Sequence, residues 1–114
     1  ILNFGVLLDR VNNTAKENGY GLFDMRFVKP LDKETLSEIA KNYSYIVTLE
    51  DHAILGGAGS AVGEYLNSIK SDAKLLSLGL NDEFPVHGSR NEVLSLNGLD
   101  EQNIAQSIQA FINY

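Results

Sequence analysis

The sequence predicts an α/β fold, a mainly parallel sheet with helices on both faces. Three observations carry that prediction. Apolar runs of strand length recur at 1–8, 20–28, 45–49 and 74–80. Segments of about 10–15 residues with helical periodicity separate them, the alternation that marks βαβ units. A crossover through a helix returns the chain to the same end of the sheet, so the strands it joins run parallel. The 114 residues are the size of one domain, with no internal repeat, low-complexity tract or linker. They are enough to bury one core without staples.

In order along the chain, residues 1–8 form the first apolar run, and 9–18 carry a thin helical stripe, Val11 and Ala15 four apart. The run at 20–28 is rich in aromatic and β-branched residues and ends at Lys29-Pro30, because proline cannot donate to a ladder and restrains the residue before it. Asp32 is placed to cap the next helix, with Leu31 and Leu36 as a hydrophobic staple. Leu36, Ile39, Ala40 and Tyr43 then fall at i, i+3, i+4 and i+7, one buried face. The run at 45–49 suits a strand covered on both sides. Glycines lead from it into a helix over about 60–70, whose faces are set by Ala61, Glu64, Tyr65 and Ile69. After the strand at 74–80 comes a turn-rich loop at 81–90 with Pro85 and Gly88, then a short helix over 91–96. Asp100 repeats the Asp32 device with Leu99 and Ile104. Ile104, Ala105, Ile108, Phe111 and Ile112 make the best-defined amphipathic helix of the chain.

Composition excludes several function classes. Lys plus Arg is 9 and Asp plus Glu is 15, a net charge of −6 that repels a phosphate backbone, so nucleic acid is not an expected partner. With no Cys there are no disulfides, thiolate metal sites or thiol nucleophiles. No apolar run approaches the ~20 residues of a membrane helix, and there is no secretory n-region, so no membrane partner is expected and the cytoplasm is the expected setting. The chain opens on apolar Ile1 without an initiator Met. A separately made protein more often starts with a polar, frayed segment, so a domain belonging to a longer chain is expected.

Five features carry possible chemistry. Gly56-Gly57-Ala58-Gly59-Ser60 follows a strand and opens a helix, a place where backbone N–H groups can meet an anion. The spacing completes neither the dinucleotide fingerprint nor the P-loop, so close packing of the helix on the sheet explains the glycines better. Glu50-Asp51-His52 lies at the carboxyl end of a strand, where open sheets place their sites. Successive side chains of an extended segment point to opposite sides, however, so a solvated strand end or a surface against another domain is the better reading. His52 and His87 are the two histidines, 35 positions apart and without ligand spacing. Ser89 lacks the Gly-x-Ser-x-Gly context of a nucleophile and fits a capping box with Glu92. Arg26, late in an apolar run, needs a partner such as Glu50 or Asp24, or an anion. The residues thus offer no catalytic set and no metal site. The candidate anion or interface residues are Arg26, Glu50, His52, Gly57 and Gly59.

Met25-Arg26-Phe27-Val28-Lys29-Pro30-Leu31-Asp32, Val47-Thr48-Leu49-Glu50-Asp51-His52 and Gly56-Gly57-Ala58-Gly59-Ser60-Ala61-Val62 follow one another in an order that resembles the C-terminal domain of the 1-deoxy-D-xylulose-5-phosphate synthase family. Leu78-Gly79-Leu80, Phe84, His87-Gly88-Ser89-Arg90 and Gly98-Leu99-Asp100 continue the likeness over essentially the whole chain. Single blocks also resemble the corresponding domains of transketolases and 2-oxoacid dehydrogenase β chains; the His-Gly-Ser-Arg block favours the synthase. The resemblance implies a three-layer α/β/α sandwich whose five-stranded sheet is mostly parallel, with the first strand antiparallel. That would make 1–8 an edge or reversed strand. It also implies a homodimeric, cytoplasmic transferase dependent on thiamine diphosphate and Mg²⁺. Such an enzyme condenses pyruvate with glyceraldehyde 3-phosphate, with loss of CO₂, for isoprenoid, thiamine and pyridoxal biosynthesis. The family's diphosphate motif, a Gly-Asp-Gly run with a later Asn, is absent from these residues. No catalytic, cofactor-binding or metal residue is therefore carried over, and the chain by itself is expected to bind neither cofactor.

Two readings follow. In one the chain is an assembly domain, packed on upstream catalytic domains and a dimer partner. In the other, the glycine turn with Arg26 and Glu50 is a regulatory anion-binding module.

Overall fold

The computed structural model describes residues 1–5, 8–25, 31–53, 57–80 and 100–113. Its elements are β1 (Leu2–Phe4), α1 (Leu8–Asn18), β2 (Phe23–Asp24), α2 (Lys33–Asn42), β3 (Tyr45–Ala53), α3 (Ala58–Ser68), β4 (Lys74–Leu80) and α4 (Glu101–Asn113). The strands form one sheet in the order β2-β1-β3-β4, and every pairing is parallel. The chain steps from β1 to one side for β2 and to the other for β3. The topological switch point therefore lies between the carboxyl ends of β1 and β3.

Alternation along the strands builds two cores. Leu2, Phe4 and Ile46 face α2 and α3, where Leu36, Ile39, Val62 and Leu66 meet them. Val47 and Leu49 face the other way, against Val11 of α1 and Ile104 and Ile108 of α4. Helices on both faces of a parallel sheet are the expected α/β/α class. The expected detail of the first strand is corrected. Leu2–Phe4 is neither an edge nor a reversed strand: it pairs in parallel with β2 through Leu2 and Phe23 and with β3 through Leu2 and Thr48. The physical reason is burial, since all three of its residues are shielded from solvent, which needs a strand on each side and a helix on each face. Four strands, rather than five, lie among the described residues.

The helices start and stop for local reasons. Asp32 caps α2 as expected: its carboxylate accepts the Thr35 N–H at 3.0 Å and the Thr35 hydroxyl at 2.8 Å, and these bonds hold its pKa below the ordinary value. Leu36 is buried and Leu31 packs on the same core, as a staple requires. Tyr43 does not share the buried face. It follows the last turn of α2 in extended conformation and leaves 40% of its surface open. The helix α3 begins at Ala58, ahead of the expected start. That register turns Val62 and Leu66 inward and leaves Ile69 exposed. The first apolar run stops at Phe4 because Gly5 takes φ 113°, and among the described residues of the run at 20–28, Phe23 and Asp24 join the sheet. The expected loop and short helix between 81 and 96 lie outside the described residues.

Candidate functional site

The switch point places the end of β3 against the start of α3. Gly57 occupies the capping position of α3 and has no side chain with which to cap it. The acceptor comes from the sheet instead. Glu50 is buried at 1% exposure, and its two carboxylate oxygens accept the N–H groups of Ala58 at 2.6 Å and Gly59 at 3.2 Å. A carboxylate at a helix N-terminus meets the positive end of the dipole, and a bond to an ionised acceptor is about twice as strong as a neutral one.

At Gly59 the helix passes close against the sheet. A Cβ there would stand 2.5 Å from Ser77 Oγ and 2.9 Å from both Ser77 Cβ and Thr48 Oγ1. Thr48 and Ser77 are register partners on β3 and β4, so two short polar side chains and a glycine together allow the contact. Thr48 Oγ1 is buried there without a hydrogen-bond partner. On β1, Asn3 is fully buried beside Asp24; its amide donates to the Gly5 carbonyl at 3.2 Å and to Asp24 Oδ1 at 3.4 Å.

Of the predicted site residues, the structure brings Glu50, Gly57 and Gly59 together. Glu50 is not a solvated strand end but an internal cap, because the helix dipole and two otherwise unpaired amides draw its carboxylate inward. Asp51 and His52 continue β3, and the His52 side chain lies outside what is described. Arg26, His87 and Ser89 also lie outside the described residues. Sequence reasoning missed Asn3 and Thr48, polar residues within apolar strands. The one available signal was their type, since a polar residue inside a short apolar run needs a partner or a close neighbour.

Chemically this arrangement closes a turn. Among the described residues no three His, Cys, Asp or Glu side chains gather as a metal site. A diphosphate would have to displace Glu50 from the two amides and sit beside its carboxylate, so the start of α3 does not fit a diphosphate group. No described helix is long and apolar enough to cross a membrane.

A parallel sheet in the order β2-β1-β3-β4 with helices packed on both faces places the chain in the α/β class. The sequence profile of the family described as Transketolase, C-terminal domain, matches residues 1–104, and the chain belongs to that family. Within it, the chain is 50% identical over 113 residues to the 1-deoxy-D-xylulose-5-phosphate synthase of Pseudoalteromonas translucida (strain TAC 125), covering 99% of this chain and 18% of the relative. It is 45% identical over 112 residues to the synthase of Saccharophagus degradans (strain 2-40 / ATCC 43961 / DSM 17024), covering 98% of this chain and 17% of that protein. The chain thus spans less than a fifth of the length of these curated relatives. Among solved structures, a split-gene transketolase described as an inactive β4 tetramer superimposes with a TM-score of 0.83 at 29% identity, over 96% of this chain and 37% of that one. The likeness to the synthase C-terminal domain read in the sequence is borne out.

Proposed function

We propose that this chain serves as the C-terminal domain of a 1-deoxy-D-xylulose-5-phosphate synthase, and that its part there is assembly rather than chemistry. The larger enzyme would join pyruvate to glyceraldehyde 3-phosphate with loss of CO₂. It would be a cytoplasmic homodimer using thiamine diphosphate and Mg²⁺ held in its upstream domains. What chiefly supports this reading is Glu50: the amides at the glycine-rich start of α3 are already taken by an internal carboxylate. An external anion, whether cofactor or effector, meets a buried negative charge there. The same geometry weighs against the regulatory-anion alternative.

Calorimetric titration tests the reading. Thiamine diphosphate with Mg²⁺ added to the 114-residue chain is expected to give no binding heat, whereas the full-length protein carrying the same sequence binds and turns over. Micromolar, Mg²⁺-dependent binding to the short chain would overturn it.

A further inference from the structure

We propose that the amino-terminal rim of the sheet, formed by Tyr43, Tyr45 and Ile69, is the surface on which the upstream part of the longer polypeptide packs; this rests on the reading of the chain as a domain of such a protein. Among the described residues, the large hydrophobic side chains left exposed are these three, at 40%, 38% and 41%. All lie at one end of the molecule, where the chain enters β3 and leaves α3. Isolated exposed apolar residues are ordinary, but adjacent ones mark interaction sites.

The rim is also held in shape. Tyr43 meets Phe23 edge to face at 6.2 Å, and Tyr45 meets Phe111 in the same way at 5.5 Å. Lys74 Nζ stands 5.7 Å from the centre of the Tyr45 ring. Rings fixed by neighbours offer apolar faces and a hydroxyl at little entropic cost, which is why tyrosine is enriched in interfaces. A cleft of ≈ 540 Å³ runs between Tyr43 and Ile69, past Ser44 and Ala73, with room for several partner side chains.

Ile1 selects the occupant. It lines a second notch with Tyr43 and Tyr45, and its backbone nitrogen donates to the Gly21 carbonyl at 2.7 Å. The relatives are over five times as long as the matched stretch, which fills 18% and 17% of them, and the family is a C-terminal one. In a protein built as they are, polypeptide arriving from upstream reaches this domain at Ile1, inside the patch. A short tether gives its two ends a mutual concentration on the order of millimolar. A patch of this modest extent then suffices to hold the neighbour.

Hydroxyl-radical footprinting of the full-length protein carrying this sequence, with synthase activity assayed on the same sample, tests the proposal. Tyr43 and Tyr45 are expected to react no faster than half-buried Tyr65. Ile69→Glu is expected to restore their reactivity, and Lys16→Glu, on the exposed side of α1, to leave it unchanged. Tyrosines that react faster than Tyr65 in an active sample overturn the proposal, as does protection that disappears on dilution, which assigns the rim to a second copy. Protection without synthase activity overturns the synthase reading while leaving the rim assignment supported.

Discussion

A helix begins with four backbone N–H groups that lack intrahelical partners, and in α3 the residue at the capping position, Gly57, has nothing to offer them. Glu50 reaches in from β3 and accepts two of them inside the protein. Removing that carboxylate strands two donors away from water. Glu50→Ala should therefore cost about 3 kcal/mol, within the range for losing charge-assisted hydrogen bonds and leaving buried groups unpaired. Urea unfolding checks this: the midpoint should fall with little change in slope, the mark of lost stability in an otherwise similar native state. A shift no larger than a surface substitution gives would show that the amides find another acceptor. This partnership was only half legible in the sequence. A carboxylate at a strand end and a glycine turn are visible as residue types. Glu50 and Ala58 are eight positions apart, however, and a cap delivered from a neighbouring strand leaves no periodic trace. Gly59 was legible for the right reason, close approach to the sheet, although Ser77 and Thr48 as the surfaces it approaches were not.

Two helices end in the same way with different residues. After α1, Gly19 takes φ 69° and the Tyr20 N–H returns to the Ala15 carbonyl at 2.9 Å. After α3, Lys70 takes φ 54°, its N–H donates to the Asn67 carbonyl at 3.1 Å, and the Ser71 N–H donates to the Leu66 carbonyl at 3.0 Å. Both are left-handed caps, where glycine is at ease and a side chain costs roughly 1–2 kcal/mol. A matched pair of variants is expected to move in opposite directions. Lys70→Gly should raise stability by about 1 kcal/mol, less whatever the added freedom of the unfolded chain takes back. Gly19→Ala should lower it by about the same amount on backbone conformation alone, since a Cβ there meets nothing within 4 Å. Thermal melts of the two variants decide it; equal shifts in one direction would refute the shared-cap account. Elements with a local signal were legible: Asp32 with Thr35, and the apolar stripe of α4 around Ile104 and Ile108. Those set by neighbours were not. Nothing in residues 1–8 says that the strand stops at Phe4 and lies inside the sheet, because its place depends on Thr48 and Phe23, far along the chain. Tyr43 and Ile69 fit a helical stripe, yet each falls just beyond the last turn of its helix.

Across the whole molecule the sheet is a partition. Ile39 lies at 5% exposure in the core under α2 and α3, and Ile108 at 1% in the core under α1 and α4, with the strands between them. Close-packed interiors respond to the loss of one methylene, and Ile→Val costs about 1 kcal/mol at such sites. Residues that share no partner lose stability independently, to within about 0.5 kcal/mol. Ile39→Val and Ile108→Val combined should thus lower the unfolding free energy by about 2 kcal/mol, the sum of the single effects. Ile104→Val with Ile108→Val is the internal control: one turn apart on α4 and packed in one cluster, these two share neighbours and should depart from additivity. If the cross-sheet pair couples as strongly as the pair on α4, the strands transmit the change from one face to the other. The two cores would then behave as one unit.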